Sequence, residues 1–145
     1  MANNSKIQKA QPQAKAVPQI GDAMPDGGIY VSKSATTGKD LHAASADEPK
    51  YLTFDEAYAA AEKMKVLPGR ENAHVPTPEE LDINLFRNRS AGKLSGTFNT
   101  SGSFPASCYR SSAPYNKNLA RVRFLDDGHI HTIGKNVPLP LRLVW

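Results

Sequence analysis

The chain has 145 residues, of which 39% are hydrophobic and 22% are charged. This length and composition suit one globular domain with its own core and argue against a wholly disordered chain. No apolar run approaches the roughly 18 residues that a membrane-spanning helix needs, so we expect no membrane insertion. The single cysteine, Cys108, excludes a disulfide within the chain and a zinc site built from cysteines alone.

Most of the formal net charge of +4 lies at the N-terminus. Residues 1–20 contain Lys6, Lys9 and Lys15 and no acidic residue, whereas the rest of the chain is nearly neutral. A domain that binds nucleic acid specifically concentrates Lys and Arg on a folded face. We therefore expect no specific nucleic-acid partner.

Residues 1–20 are rich in Gln, Ala, Lys and Asn and poor in aromatic residues. Such a segment buries too little apolar surface to offset its ordering entropy, which predicts a flexible tail before a single domain at 21–145. The tail lacks the apolar stretch of a secretory signal peptide. We therefore expect a protein that is cytoplasmic, particle-associated or exported by a leaderless route. The tail is expected to be an export signal, a tether or an inert leader.

The domain is predicted to open with a β-hairpin. Turn-forming residues at 25–28 precede Ile29, Tyr30 and Val31, which favour a strand. A second turn at 37–40 then leads into a short returning strand at 41–44.

Two helices follow, and each begins with a capping box. In the segment YLTFDEAYAAAEKMK, Thr53 is the predicted N-cap and Glu56 lies three residues later. In the segment HVPTPEELDINLF, Thr77 and Glu80 have the same relation, and Pro78 is the first helical residue. Apolar residues at helical spacing predict that each helix packs on a core.

The composition changes after the second helix. Residues 90–107 are rich in Gly, Ser, Thr and Asn, which predicts a long irregular loop anchored by Phe98 and Phe104. The pair Asp127-Gly128 then marks the turn of a second hairpin. Leucines alternate with other residues at 139–145 and predict a terminal strand, whose prolines restrict its start to an edge or an unpaired position.

The second hairpin has a predicted register if Asp127 and Gly128 alone form its loop. Val122 then lies opposite Ile133, and Phe124 lies opposite His131. The face with these four residues is the expected core face. The opposite face carries Arg121, Arg123, Leu125, Ile130 and Thr132.

Metal and carboxylate sites receive little support from the sequence. His129 and His131 lie on one side of a strand and could supply two metal ligands, but no third ligand is apparent. The acidic residues Glu79, Glu80 and Asp82 begin a helix, where the helix dipole already favours them. We therefore expect neither a metal site nor a cofactor, and structural roles for these residues.

Catalysis by Cys108 would need a base or an electropositive setting that stabilises the thiolate. Arg110 is two residues away and could contribute, but a buried, unreactive thiol is the commoner role of a free cysteine. No phosphate-binding glycine loop or hydrolase motif is present. We expect no catalytic residues and a protein that is not an enzyme.

The strongest binding candidate lies in the segment 95–118. Aromatic area and hydrogen-bonding groups alternate there, as they do in adaptable recognition loops and interface anchors. The predicted binding residues, expected to be exposed, are Tyr109, Arg110, Tyr115, Asn116, Lys117 and Asn118. The alternative is a polar loop without a partner.

The order of these motifs resembles a known family. The segments PDGGIYVSKSATTGKDLHAA, LTFDEAYAAAEK, HVPTPEELDINLFRNR, YRSS, ARVRFLDDGHIH and LRLVW follow one another over most of the chain. This series is similar to the bacterial Lcl C-terminal domain family, in the formylglycine-generating-enzyme-like branch of the C-type lectin fold. Arg110 stands where that family usually has tryptophan.

The resemblance implies an α+β, C-type lectin-like fold, with two helices packed on a small, twisted, mainly antiparallel sheet with long irregular loops. The E-P-N, Q-P-D and W-N-D triplets of calcium-dependent sugar binding are missing, so calcium-dependent glycan binding is not implied. Related lectin-fold proteins of bacteria and phages present a variable C-terminal surface to a receptor.

We therefore expect a non-enzymatic recognition module that displays a loop-rich C-terminal surface to a protein or glycan partner. Its tail could attach it to a larger assembly such as a phage or injection particle. The alternatives are an exported bacterial effector and an enzyme with an unrecognised site.

Overall fold

The computed structural model describes residues 17–145, so the predictions for residues 1–16 lie outside it. The domain is α+β, as predicted, with two helices and two small antiparallel sheets where one sheet was expected. None of the helices in this part of the chain has the length and apolar character needed to cross a membrane. The strands are β1 (Ile29–Lys33) and β2 (Asp40–Ala43) in one sheet, and β3 (Cys108–Pro114), β4 (Leu119–Phe124) and β5 (Ile130–Gly134) in the other.

The first hairpin forms as predicted, with an irregularity in its first strand. Strands β1 and β2 are antiparallel, and their register shifts between Tyr30 and Lys33. Ser32 lies at the shift with a φ of 74°, in the left-handed region that non-glycine residues seldom occupy. The shift leaves main-chain groups of β1 available to a partner outside the hairpin.

Helix α1, Phe54–Met64, begins with the predicted capping box. The Thr53 hydroxyl accepts from the Glu56 N–H, and the Glu56 carboxylate accepts from the Thr53 N–H. Ala57 and Ala61 face the core one turn apart, so the small side chains let the helix approach Leu141 and Leu143 closely.

Helix α2, Glu80–Phe86, is π-type, which the sequence pattern did not predict. Its capping box does form: Thr77 Oγ1 accepts from the Glu80 N–H, and the Glu80 carboxylate accepts from the Thr77 N–H. The fully buried Asn84 amide donates to the Val31 and Lys33 carbonyls. These bonds satisfy main-chain groups of β1 around its irregularity and fix α2 to the first sheet.

The long loop at 90–107 is held by one of its two predicted anchors. Phe98 is buried and packs edge-on against Tyr109, with ring centroids 5.8 Å apart. Phe104 is 54% exposed, so the expectation that it anchors the loop is wrong. A three-residue 3-10 turn at Gly92–Leu94 buries Leu94 instead.

The second hairpin forms with a register two residues away from the predicted one. Val122 pairs with His131, and Arg123 pairs with Ile130. The loop is longer than two residues because Leu125 turns inward and becomes fully buried. A shift of two residues preserves the side on which each side chain lies, so Val122 is on the core side as predicted.

The segment 139–145 is extended and central rather than at a sheet edge, and Pro140 has the unpaired position that was the other expectation for its start. Leu139 exchanges main-chain hydrogen bonds with Leu52 on one side, and the Pro140 carbonyl accepts from the Arg110 N–H on the other. All seven residues are buried. Pro140 is tolerated because the segment forms only isolated bridges, and none of them requires a backbone N–H at position 140.

Arg142 is the buried charge at the centre of this segment. Its Nε donates to Asp47 Oδ1 at 2.9 Å, and its remaining nitrogens donate to the Ala44 carbonyl and to Thr97. The guanidinium carbon lies 4.0 Å from the centroid of the Phe98 ring. A fully buried arginine with these partners ties three separate parts of the chain together.

We expect Arg142→Met to lower the free energy of unfolding by about 3–5 kcal/mol, because it leaves the Asp47 carboxylate without its cation. Arg110→Met is the matched control, since Arg110 is equally buried and has no carboxylate partner among residues 17–145. Urea unfolding of both variants measures the difference. Equal losses of stability would contradict the assigned role of Arg142.

We expect Thr77→Ala to cost about 1 kcal/mol through loss of the N-cap of α2. Thr77→Ser keeps the hydroxyl and is the control, which is expected to retain most of the stability. The measurement is the shift of the denaturant midpoint at constant slope, and an unchanged midpoint for the alanine variant would speak against the cap.

Candidate functional site

The six predicted binding residues do not form one surface. Tyr109 and Arg110 are fully buried, so the expectation that they are exposed is wrong. The other four are exposed at the turn that joins β3 to β4: Tyr115, Asn116, Lys117 and Asn118.

Tyr109 and Arg110 are buried because the segment 139–145 lies beside β3. The Tyr109 hydroxyl donates to Asp47 and accepts from the Asn99 N–H, and burial raises its pKa above the ordinary value. Arg110 donates to the carbonyls of Leu52 and Val137. These are links between backbone segments, and they leave no surface for a partner.

The exposed turn is shaped by its own asparagine. Asn116 Oδ1 accepts hydrogen bonds from the N–H groups of Asn118 and Leu119 at 2.9 and 2.8 Å. This side chain therefore fixes the turn geometry. Tyr115 is the one predicted residue that also lines the concave surface described next.

A groove of about 560 Å³ runs between α2 and the outer face of the second sheet. This volume falls within the range of ligand-binding clefts in proteins. The helix wall is formed by residues 78–83, and the sheet wall by side chains of β4, β5 and Tyr115. The residues that line it are Pro78, Glu79, Leu81, Asp82, Ile83, Ser111, Tyr115, Arg121, Val122, Arg123, Ile130, His131 and Thr132.

The rim of the groove exposes large apolar side chains. Ile83, Tyr115 and Ile130 are 43%, 57% and 65% exposed. Isolated exposed apolar residues are ordinary on protein surfaces, but a set that borders one concavity marks an interaction site. The pattern in the sequence that could have indicated this surface is Ile130, an apolar residue on the same face of the hairpin as Arg121 and Arg123.

An ion-pair network joins the two walls of the groove. Asp82 on α2 accepts from Arg87, with nitrogen–oxygen distances of 3.3 and 3.2 Å. Arg123 on β4 approaches the same carboxylate at 3.7 Å and also donates to the Gly128 carbonyl. The network connects the helix to the sheet on one side of the groove.

The groove opens beside β5, which pairs with β4 and has no second strand neighbour within residues 17–145. The Phe124 N–H donates to the His129 carbonyl, and hydrogen-bonded and non-bonded pairs alternate along antiparallel strands. Ile130 and Thr132 therefore direct their main-chain groups away from β4. The Thr132 N–H is satisfied locally by His131 Nδ1 at 2.9 Å.

A second polar network lies behind α2. The fully buried Glu80 accepts from the Ser34 hydroxyl, and its Oε1 lies 2.8 Å from His74 Nε2. His74 Nδ1 lies 2.8 Å from the Asn72 carbonyl. Both ring nitrogens face acceptors, so the protonated imidazolium satisfies this site best.

The pKa values of this pair move in opposite directions. The hydrogen bond to Glu80 raises the pKa of His74 above its ordinary value, against the opposing effect of burial. Burial raises the pKa of Glu80, but hydrogen bonds from His74, Ser34 and Thr77 outweigh it and hold that pKa below its ordinary value. Folding thus favours the charged forms of both side chains.

A third network surrounds the last residue of the chain. Asp26 Oδ2 accepts from Trp145 Nε1 and pairs with His42 Nδ1, both at 2.8 Å. Arg70 lies over the Trp145 ring at 4.4 Å and donates to the Asp26 carbonyl. His42 and Asp26 are 16 residues apart along the chain, so packing of the first hairpin brings this pair together.

Cys108 has the expected buried position. It packs against Val122 and Leu139, and burial raises the pKa of its thiol to about 12. A thiol with that pKa is almost wholly protonated at neutral pH, which agrees with a packing role.

The hairpin loop brings together Asp126, Asp127 and His129, whose ligand atoms lie within 4.8 Å of one another. All three are exposed, and hydrogen bonds from the His129 main chain and ring lower the pKa of Asp127 to about 2. The His129 ring stacks on Phe124. These contacts account for the cluster, and we assign no metal to it.

Comparison of the sequence with protein-family models and with curated proteins found no match to either. The resemblance to the Lcl C-terminal domain family accordingly stays a prediction.

We expect the free energy of unfolding to fall as the pH rises through the raised pKa of His74. Folding raises the pKa of His74, so its protonated form stabilises the folded state. This stabilisation is complete at pH values below the pKa of the unfolded state, about 6.5 for histidine, and is lost as the pH rises. Glu80 also stabilises the fold, but its pH dependence is opposite: because folding lowers its pKa, its contribution is lost as the pH falls. Urea unfolding from pH 5 to 9 measures the effect.

His74→Gln is the control for this pH dependence. The difference between wild type and variant isolates His74 from the other three histidines. A difference that stays constant between pH 5 and 9 would show that the imidazolium does not stabilise the fold.

Proposed function

We propose that this domain is a non-enzymatic recognition module, and that the groove between α2 and the second sheet binds an extended segment of a partner protein. The observation that carries the proposal is the set of exposed apolar side chains around one concavity of about 560 Å³. Burial of such side chains by a partner releases ordered water and supplies the main driving force for association.

Two features favour a protein segment over a glycan. The lining contains the exposed isoleucines at positions 83 and 130, which suit apolar side chains better than sugar hydroxyls. The outward main-chain groups of Ile130 can pair with an extended backbone, which is how strands add to sheet edges, whereas those of Thr132 already contact the His131 ring. An extended segment can use both features at once.

The groove replaces the predicted binding surface while keeping one of its members. Tyr115 contributes aromatic area at the rim, as expected of an interface anchor. Asn116, Lys117 and Asn118 lie next to it in the same exposed turn and are available to contact a partner outside the groove.

The proposal also includes a specific fold type and a biological setting. The order of motifs and the α+β architecture with long loops support a C-type lectin-like fold of the Lcl type. A role within a phage or injection particle, or as an exported effector, rests on the composition of residues 1–20.

A random peptide library displayed on phage tests this function, with a glycan array as the parallel arm. We expect peptides with apolar side chains to be enriched on the full-length chain and lost on Ile130→Asp. The control is Val66→Asp, because Val66 is 81% exposed and lies outside the groove. Thermal melting verifies that both variants fold.

The outcomes separate the candidates clearly. Enrichment on wild type and Val66→Asp, but not on Ile130→Asp, supports peptide recognition in the groove. Binding on the glycan array alone, abolished by Ile130→Asp, would overturn the choice of a protein partner. Absence of enrichment, or enrichment that Ile130→Asp leaves intact, would overturn the groove as a peptide site.

A further inference from the structure

The groove is lined by five acidic or basic side chains, two of which lie close together. They are Glu79, Asp82, Arg121, Arg123 and His131. Asp82 pairs with Arg87 from its own helix and lies 3.7 Å from Arg123 across the groove. Arg123 thus has an acidic neighbour within the fold and also donates to the Gly128 carbonyl.

Arg121 is the cation of the sheet wall that the described fold leaves available. It is exposed on the outer face of β4, and no carboxylate of residues 17–145 lies within 4.0 Å of its guanidinium. Its guanidinium carbon lies 5.8 Å from the centroid of the Tyr115 ring. The ring orients the guanidinium and leaves its hydrogen-bond donors for a carboxylate.

Glu79 on the opposite wall has a different environment. It lies in the first turn of the helical segment that follows Thr77, where the positive end of the helix dipole favours a carboxylate. This carboxylate is compensated by its position, whereas the guanidinium of Arg121 has an aromatic neighbour and no anionic partner in the described part of the chain. Arg121 therefore offers a positive charge beside the apolar side chains of the groove.

Building on the proposed function, we propose that the groove selects partner segments in which a carboxylate lies next to an apolar side chain. The apolar side chain enters between Ile83 and Ile130, and the carboxylate pairs with Arg121 beside Tyr115. Arginine presents its donors in a planar fork that matches a carboxylate, so the pairing adds direction as well as attraction. An acidic, apolar segment of a protein partner fits this arrangement.

The test repeats the peptide selection on Arg121→Gln, with Lys50→Gln as the charge-matched control outside the groove. We expect wild type and Lys50→Gln to enrich peptides with Asp or Glu within two residues of an apolar side chain. Arg121→Gln is expected to keep the apolar preference and to lose the acidic one.

A synthetic peptide from the wild-type selection then completes a double-mutant cycle. Replacing its acidic residue with the corresponding amide should weaken binding to wild type about tenfold, the usual effect of one charged hydrogen bond, and leave binding to Arg121→Gln unchanged. An equal loss on both proteins, or wild-type peptides without acidic residues, would overturn this inference while the groove function stands. Selection that does not depend on Ile130 would overturn the proposed function itself.

Discussion

The buried charge of Arg142 is the constraint on which the rest of this domain depends. A guanidinium removed from water must find its hydrogen-bond partners inside the protein. Arg142 finds them in Asp47, Ala44 and Thr97, which belong to the loop after β2 and to the long loop after α2. Tyr109 donates to the same Asp47 and extends the network into β3. Two irregular loops thereby gain fixed positions that their own sequences do not specify.

The central position of the segment 139–145 decides where the protein can meet a partner. The Pro140 carbonyl accepts from the Arg110 N–H and so covers one edge of the second sheet. The same packing buries Tyr109 and Arg110. Their residue types are common in interfaces, so the sequence alone predicted that they would contact a partner. Because β3 is covered, the sheet offers its outer face and the β5 edge, and the groove lies there.

Helix α2 separates two kinds of polar chemistry. Its inner side carries Glu80 and Asn84, which are fully buried and hydrogen-bonded to the first sheet and to His74. Its outer side carries Ile83, and Glu79 directly precedes its first residue; both line the groove. Rigid attachment through the inner side matters for recognition, since a wall that is already fixed loses little entropy when a ligand binds.

The sequence by itself determined the local structure: the two capping boxes, the first hairpin, the α+β class and the buried cysteine. These follow from hydrogen bonds and side-chain periodicities within a few residues. The tertiary structure decided the register of the second hairpin, which changed when Leu125 joined the core, and the burial of Tyr109 and Arg110. It also decided the groove, because its walls come from residues about 40 positions apart that only packing brings together. Short-range patterns cannot encode such contacts, since the partner of each side chain is chosen by the whole chain.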